Sequence, residues 1–166
     1  IFSKTKDGSF IDSENDAVTA EMIRDKFKNL DYIFEQQISQ DTCLGKFNPD
    51  TVNTIRVLTY KDKVVAAAVR FGGKGEFVDN VSAHGVACSL DIETGELGEY
   101  GLRMYSTKRF FEHPDSKISF KGTKISQWNQ IKELVEKVLK YLPYYNSVGF
   151  DIALSTSGPI ILEINT

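Results

Sequence analysis

The chain has 166 residues, 41% of them hydrophobic and 26% charged, with a net charge of −3. That is an ordinary composition for a globular protein with a real core; no apolar run nears the ~20 residues of a membrane span, and the balance argues against a dominant nucleic-acid surface. Cys43 and Cys88 lie in separate segments and His84 and His113 are isolated, which excludes a disulfide framework, argues against a His/Cys zinc site and suits a reducing compartment.

Residues 1–4 form a β-like run ending in Lys4, residues 6–9 a turn, and Phe10 and Ile11 a returning strand. A lysine at a strand end beside a Gly/Ser loop can hold a phosphate, although most such lysines are simply on the surface. Residues 12–16 are polar and contain a helix start. Val18, Met22, Phe27 and Leu30 then recur at near-helical spacing, so an amphipathic helix is expected to about Leu30. Residues 32–38 read as a buried strand turning polar at its end, with residues 39–48 as a loop. Glu35, Gln36 and Gln37 either border a ligand or end an exposed strand.

Residues 52–60 and 64–71 are β-rich, joined by Lys61, Asp62 and Lys63 in a tight hairpin turn. Arg56 and Arg70 lie inside these apolar strands. Each must face solvent or find a partner, and two arginines on neighbouring strands suit phosphate or carboxylate recognition. Gly72, Gly73 and Gly75 mark a turn, Asp79-Asn80 follows, and residues 81–87 are small. Residues 88–92 and 97–104 are expected strands around a turn at 93–96, and residues 106–123 an irregular stretch around His113-Pro114-Asp115. Ser126 is the expected cap of a scaffold helix whose stripe is Ile131, Leu134, Val135, Val138, Leu139 and Leu142, ended by Pro143.

Residues 147–166 read as a hairpin with residues 155–159 as its turn. Phe150, Ile152 and Leu154 share one side of the first strand, and Ile160, Leu162 and Ile164 one side of the second. The opposite face then carries Gly149, Asp151, Ala153, Ile161, Glu163 and Asn165. A turn centred on Ser157 sets Asp151 across from Glu163. Opposed like charges repel, and neither strand supplies a cation to that face. A hard divalent cation such as Mg²⁺, bound by carboxylates and phosphate oxygens, is a sufficient reason for them. A solvated acidic face on an amphipathic hairpin is an equally good account of the hairpin alone. Strand, helix, strand, several antiparallel strands, helix and hairpin together give an α+β layout, a mainly antiparallel sheet with flanking helices.

Five segments in order resemble a known family: Asn53-Thr54-Ile55-Arg56-Val57, the run from Val64 to Arg70, Val78-Asp79-Asn80, Gly149-Phe150-Asp151-Ile152, and Ile161-Leu162-Glu163-Ile164-Asn165-Thr166. Together with the His113-Pro114 stretch and Lys124-Ile125-Ser126-Gln127-Trp128, they resemble the ATP-grasp ligases, closest to the sugar-transfer-associated group of bacterial surface-polysaccharide clusters.

The resemblance implies residues 1–38 as the remnant of the small lobe and residues 39–166 as the large lobe. It implies that Asp151, Glu163 and Asn165 hold Mg²⁺ on ATP, that Lys4 reaches its phosphates, that Glu35, Gln36 and Ile38 border adenine, and that Asp41 approaches the ribose. Arg56, Arg70 and Asn80 would face the γ-phosphate and an acyl phosphate. The implied chemistry is carboxylate–amine ligation on a small or sugar-linked substrate in the bacterial cytoplasm. The alternative is a noncatalytic nucleotide-binding or interaction module. The lid loop is reduced to Lys6-Asp7-Gly8-Ser9, and His84-Gly85 stands where the family pattern has paired glycines. The chain reads as a fragment without the family's leading domain, and no turnover is expected of it alone.

Overall fold

The computed structural model describes residues 3–4, 9–12, 14, 16–29, 31, 36–73 and 85–166. The chain divides into two compact units, residues 1–37 and 38–166.

In the first unit, β1 (Ser3–Lys4), β2 (Phe10–Ile11) and β3 (Ala17–Val18) form an antiparallel meander in that order. α1 (Ala20–Phe27) follows. The helix starts later than its apolar spacing suggests. Val18 pairs with Phe10 in β3, and Thr19 caps the helix by accepting from the Met22 amide at 3.2 Å.

The second unit holds α2 (Thr42–Gly45), β4 (Thr54–Tyr60), β5 (Lys63–Phe71), β6 (Val86–Leu90), β7 (Leu97–Leu102), β8 (Arg109–Phe110), α3 (Trp128–Leu139), β9 (Ser147–Ser155) and β10 (Gly158–Asn165). Its seven strands form one antiparallel sheet in the order β10-β9-β4-β5-β6-β7-β8. The α+β class expected from the sequence is the class observed. β9 returns from the far end of the chain to pair with β4, placing residues some 95 positions apart side by side.

One face of this sheet is the core. Ile55 and Val57, Val69 and Phe71, Val86 and Cys88, and Phe150, Ile152 and Leu154 are buried there. Trp128, Ile131, Val135 and Leu139 of α3 join the same cluster, as the helical stripe requires. Gly95 has φ +73°, and a Cβ there would lie 2.7 Å from Trp128 Cβ, so this turn needs glycine on both counts. Both cysteines are free, and burial pushes the Cys88 thiol up to about 12.

Five local expectations change. The residues at 36–38 are not strand, and residues 39–48 hold α2, capped by Asp41, whose Oδ1 accepts from the Cys43 amide at 2.7 Å. Gln127, without a side-chain cap bond, precedes α3 in place of the expected Ser126. The stretch at 106–123 contains β8 and the bridge of Glu112 to Ser119. In the last hairpin, Ile161 pairs with Ile152 and packs on the core, while Ile160 pairs with Ala153 on the opposite side. The two isoleucines therefore sit on the faces opposite to those expected, because the turn closes through Thr156 and Ser157 and is not centred on Ser157; the bulge that follows restores the expected pairing from Glu163 onward.

Candidate nucleotide and cation site

β9 and β10 turn tightly through Thr156 and Ser157, with Ser155 paired to Gly158. Continued without interruption, that register would set Asp151 against Leu162. Instead the register shifts between Ile161 and Glu163, leaving Leu162 as the extra residue. The bulge puts Glu163 across from Asp151 and Asn165 across from Gly149. Directly paired residues project from the same face.

The row continues across the sheet. Asp151 pairs with Arg56 of β4, which pairs with Ala68 of β5. In the adjacent row Thr54 pairs with Arg70. The cation missing from the hairpin therefore comes from its neighbours. Arg56 grips Asp151 with a two-pronged fork, Nε on Oδ1 and Nη2 on Oδ2, the latter at 2.7 Å. Arg70 Nη2 lies 3.2 Å from Oδ1. Arg70 also donates to the Thr54 hydroxyl from Nε at 3.0 Å and Nη2 at 2.9 Å. Asp151 is 3% exposed, whereas the two arginine side chains keep 32% and 24% of their surface. A buried carboxylate held by two half-open guanidiniums is stable only because they pair with it.

Glu163 and Asn165 are exposed, and their side chains make no hydrogen bond or ion pair among the described residues. Gly149 leaves a small cradle between Asn165 and Arg56. A Cβ there would meet Leu58 Cδ2 at 3.4 Å, Asn165 Cβ at 3.6 Å and Arg56 Nη1 at 3.7 Å. Asp151, Glu163 and Asn165 share this face through their strand register, and carboxylate and amide oxygens are donor types that Mg²⁺ accepts. Arg56 already takes one acceptor position on each Asp151 oxygen and Arg70 crowds Oδ1, so Oδ2 is the more open of the two.

A second network fixes the end of β5, two residues beyond Arg70. Asn48 Nδ2 donates to the carbonyls of Gly72 at 3.0 Å and Gly73 at 3.1 Å, and Asn53 Oδ1 accepts from the Gly72 amide at 3.3 Å. His113, 1% exposed, places Nε2 3.3 Å from the Gly72 carbonyl. Its Nδ1 accepts from the Asp115 and Ser116 amides at 3.4 and 3.3 Å, so the proton sits on Nε2. Burial lowers the His113 pKa, against a smaller opposing effect of the Gly72 hydrogen bond. Sequence reasoning did not find Asn48, Thr54 or this role of His113. A polar residue in an apolar strand start was the one visible sign, at Asn53.

The remaining expected residues divide as follows. Asp41 uses both oxygens within the protein, Oδ1 as the α2 cap and Oδ2 accepting from Gln127 Nε2 at 3.4 Å. Ile38 is half-buried and Gln36 exposed. Lys4 pairs through its backbone with Phe10 in β1, and its side chain lies outside what the structure describes. Glu35 and Asn80 lie outside the described residues, as do the Lys6-to-Gly8 part of the small loop and His84. Among the described residues no helix is long and apolar enough to cross a membrane.

The sheet order, the terminal hairpin and the arginine–carboxylate row define an α+β fold with a charged row across one face of its antiparallel sheet. Over residues 9–166 the chain matches the family described as sugar-transfer associated ATP-grasp, and it belongs to that family. Membership makes ATP its expected partner and ligase-like chemistry its expected class. No curated protein matches the chain.

Proposed function

We propose that the chain supplies the nucleotide- and cation-binding face of an ATP-dependent carboxylate–amine ligase. The observation that carries this reading is the row Glu163, Asp151, Arg56, with Arg70 beside it: two carboxylates and two guanidiniums on one face of one sheet. Phosphoryl transfer asks mainly for positioning and for cations aimed at the phosphate oxygens. Arg56 and Arg70 can orient a γ-phosphate and hold the negative charge that develops on an acyl phosphate. Asn80, in the segment after β5, joins them in this reading.

Glu163, Asn165 and the open site of Asp151 would hold Mg²⁺, which when bound neutralises phosphate charge. Lys4 would add a phosphate contact, and Glu35, Gln36, Ile38 and Asp41 would border the nucleoside. The substrate carboxylate attacks the γ-phosphorus, ADP leaves, and an amine displaces phosphate to give the amide. A sugar-linked substrate in bacterial polysaccharide synthesis, in the cytoplasm, suits the family's description. Residues 1–38 would act as the remnant of the small lobe and 39–166 as the large lobe.

A second reading is a nucleotide-binding or interaction module without turnover. It is favoured by the closure of Asp151 on both arginines, which a purely structural ion-pair network would also produce. Calorimetry with Mg²⁺ and ATP tests both. Binding that Asp151→Asn abolishes supports a nucleotide site, and ADP release that depends on an added carboxylate and amine separates ligase from module. No binding of ATP with Mg²⁺ sinks the ligase and the nucleotide-binding module and leaves only an interaction module.

A further inference from the structure

We infer that Arg56 and Arg70 close Asp151 to a lone cation, so that cation and polyphosphate enter the site only together. This rests on the nucleotide-site reading above and adds to it the order in which the site is loaded.

The first argument is occupancy. A carboxylate has about four acceptor positions. On Asp151, Arg56 fills two, Nε on Oδ1 and Nη2 on Oδ2, and the Arg70 guanidinium crowds Oδ1 as an ion pair at 3.2 Å. A divalent ion arriving alone must displace a guanidinium or settle beside two like charges on a side chain only 5% exposed. The second argument is charge. Asp151 and Glu163 carry two negative charges, and Arg56 and Arg70 two positive ones, so this set of four side chains sums to zero. A divalent cation alone would leave it at +2, and a polyphosphate alone would leave it strongly negative. Together they offset each other.

The third argument is exchange of partners. Phosphate oxygens suit the same guanidinium fork as a carboxylate. A polyphosphate that draws Arg56 and Arg70 away uncovers Asp151 for the cation. The two arginine side chains are a quarter to a third exposed, so they can turn outward without unfolding β4 or β5. Glu163 and Asn165, which have no partner among the described residues, stand ready across the hairpin. Binding of either ligand then raises affinity for the other, and such coupling is reciprocal.

The test uses single ligands on the intact chain. Mn²⁺ binding without nucleotide is followed by paramagnetic resonance, and inorganic pyrophosphate binding without metal by calorimetry in chelator. Arg56→Met should bind Mn²⁺ about tenfold tighter than the wild type, inside the range usual for coupled sites. Arg56→Lys, which keeps the charge and loses the fork, should fall between. Asp151→Asn should bind pyrophosphate about tenfold tighter, because it releases the guanidiniums. Asparagine is nearly isosteric with aspartate, so this arm decides the matter if Arg56→Met fails to fold. Unchanged affinity in either folded variant, in a wild type that does bind ATP with Mn²⁺, overturns the coupling and leaves the nucleotide site standing. A wild type that binds no ATP with Mn²⁺ overturns both.

Discussion

Glu163 faces Asp151 because Leu162 is one residue too many. The bulge at Leu162 changes the pairing of β10 by one position, and a one-residue change of register exchanges the faces of a strand. Deleting Leu162 should give a regular hairpin in which Asp151 still opposes Glu163 and Gly149 still opposes Asn165. Deleting Ile164 should leave Glu163 in place and carry Asn165 to the core face. Calorimetry with Mg²⁺ and ATP is expected to show affinity within roughly threefold of wild type for the first deletion and about tenfold weaker or worse for the second. Equal losses would mean that register is not what assembles the site.

Replacing Asp151 by alanine leaves Arg56 and Arg70 facing each other with no carboxylate between them. The expected loss is about 2–3 kcal/mol, below what breaking a fully buried pair costs, since solvent screens arginines that are a quarter to a third exposed. Asp151→Asn should lose less. Urea titration with the two variants side by side measures this. Similar stability for Asp151→Ala and wild type would show that the pairs contribute nothing to the fold.

His113 should make stability depend on pH. Burial lowers its pKa from the ordinary 6.5, and Nδ1 has no room for a proton while it accepts from two amides. Above about pH 6.5 the folded and unfolded forms are both neutral at this position, so the contribution is complete. As the pH falls below that value, the unfolded chain takes up a proton that the folded chain does not. Stability then drops by at most about 1.4 kcal/mol per pH unit, until the lowered native pKa is reached. His113→Asn keeps an acceptor near Nδ1 and cannot titrate. The difference in melting temperature between wild type and this variant should narrow or reverse from pH 7.5 to pH 5.5.

The β4–β5 turn offers a control away from the chemistry. Lys61 and Asp62 adopt φ of +45° and +64°, the left-handed pair that a two-residue hairpin turn needs and that Asn-Gly adopts with less strain. Lys61→Asn with Asp62→Gly should raise stability by about 1 kcal/mol and leave nucleotide affinity unchanged. A lower melting temperature would contradict the turn geometry.

Local patterns in the sequence were enough for the elements that bury one face. The apolar stripe of α3, the paired strands around Lys61 and Asp62, and the alternation in β9 each encode a period, and a period survives without knowledge of neighbours. The opposed carboxylates were legible for the same reason, through a turn assumed one residue away from the true one. The true turn exchanged the faces of Ile160 and Ile161, and the bulge at Leu162 made up the difference from Glu163 onward.

What the sequence by itself determined is an α+β chain with two arginines in its strands and two carboxylates in its last hairpin. Tertiary structure alone decided that these groups meet. β9 pairs with β4 across some 95 residues, and no local propensity encodes a contact between segments so far apart. That pairing is fixed by burying Ile55, Val57, Phe150 and Ile152 together on one face, and the opposite face inherits Arg56 beside Asp151 as a geometric consequence.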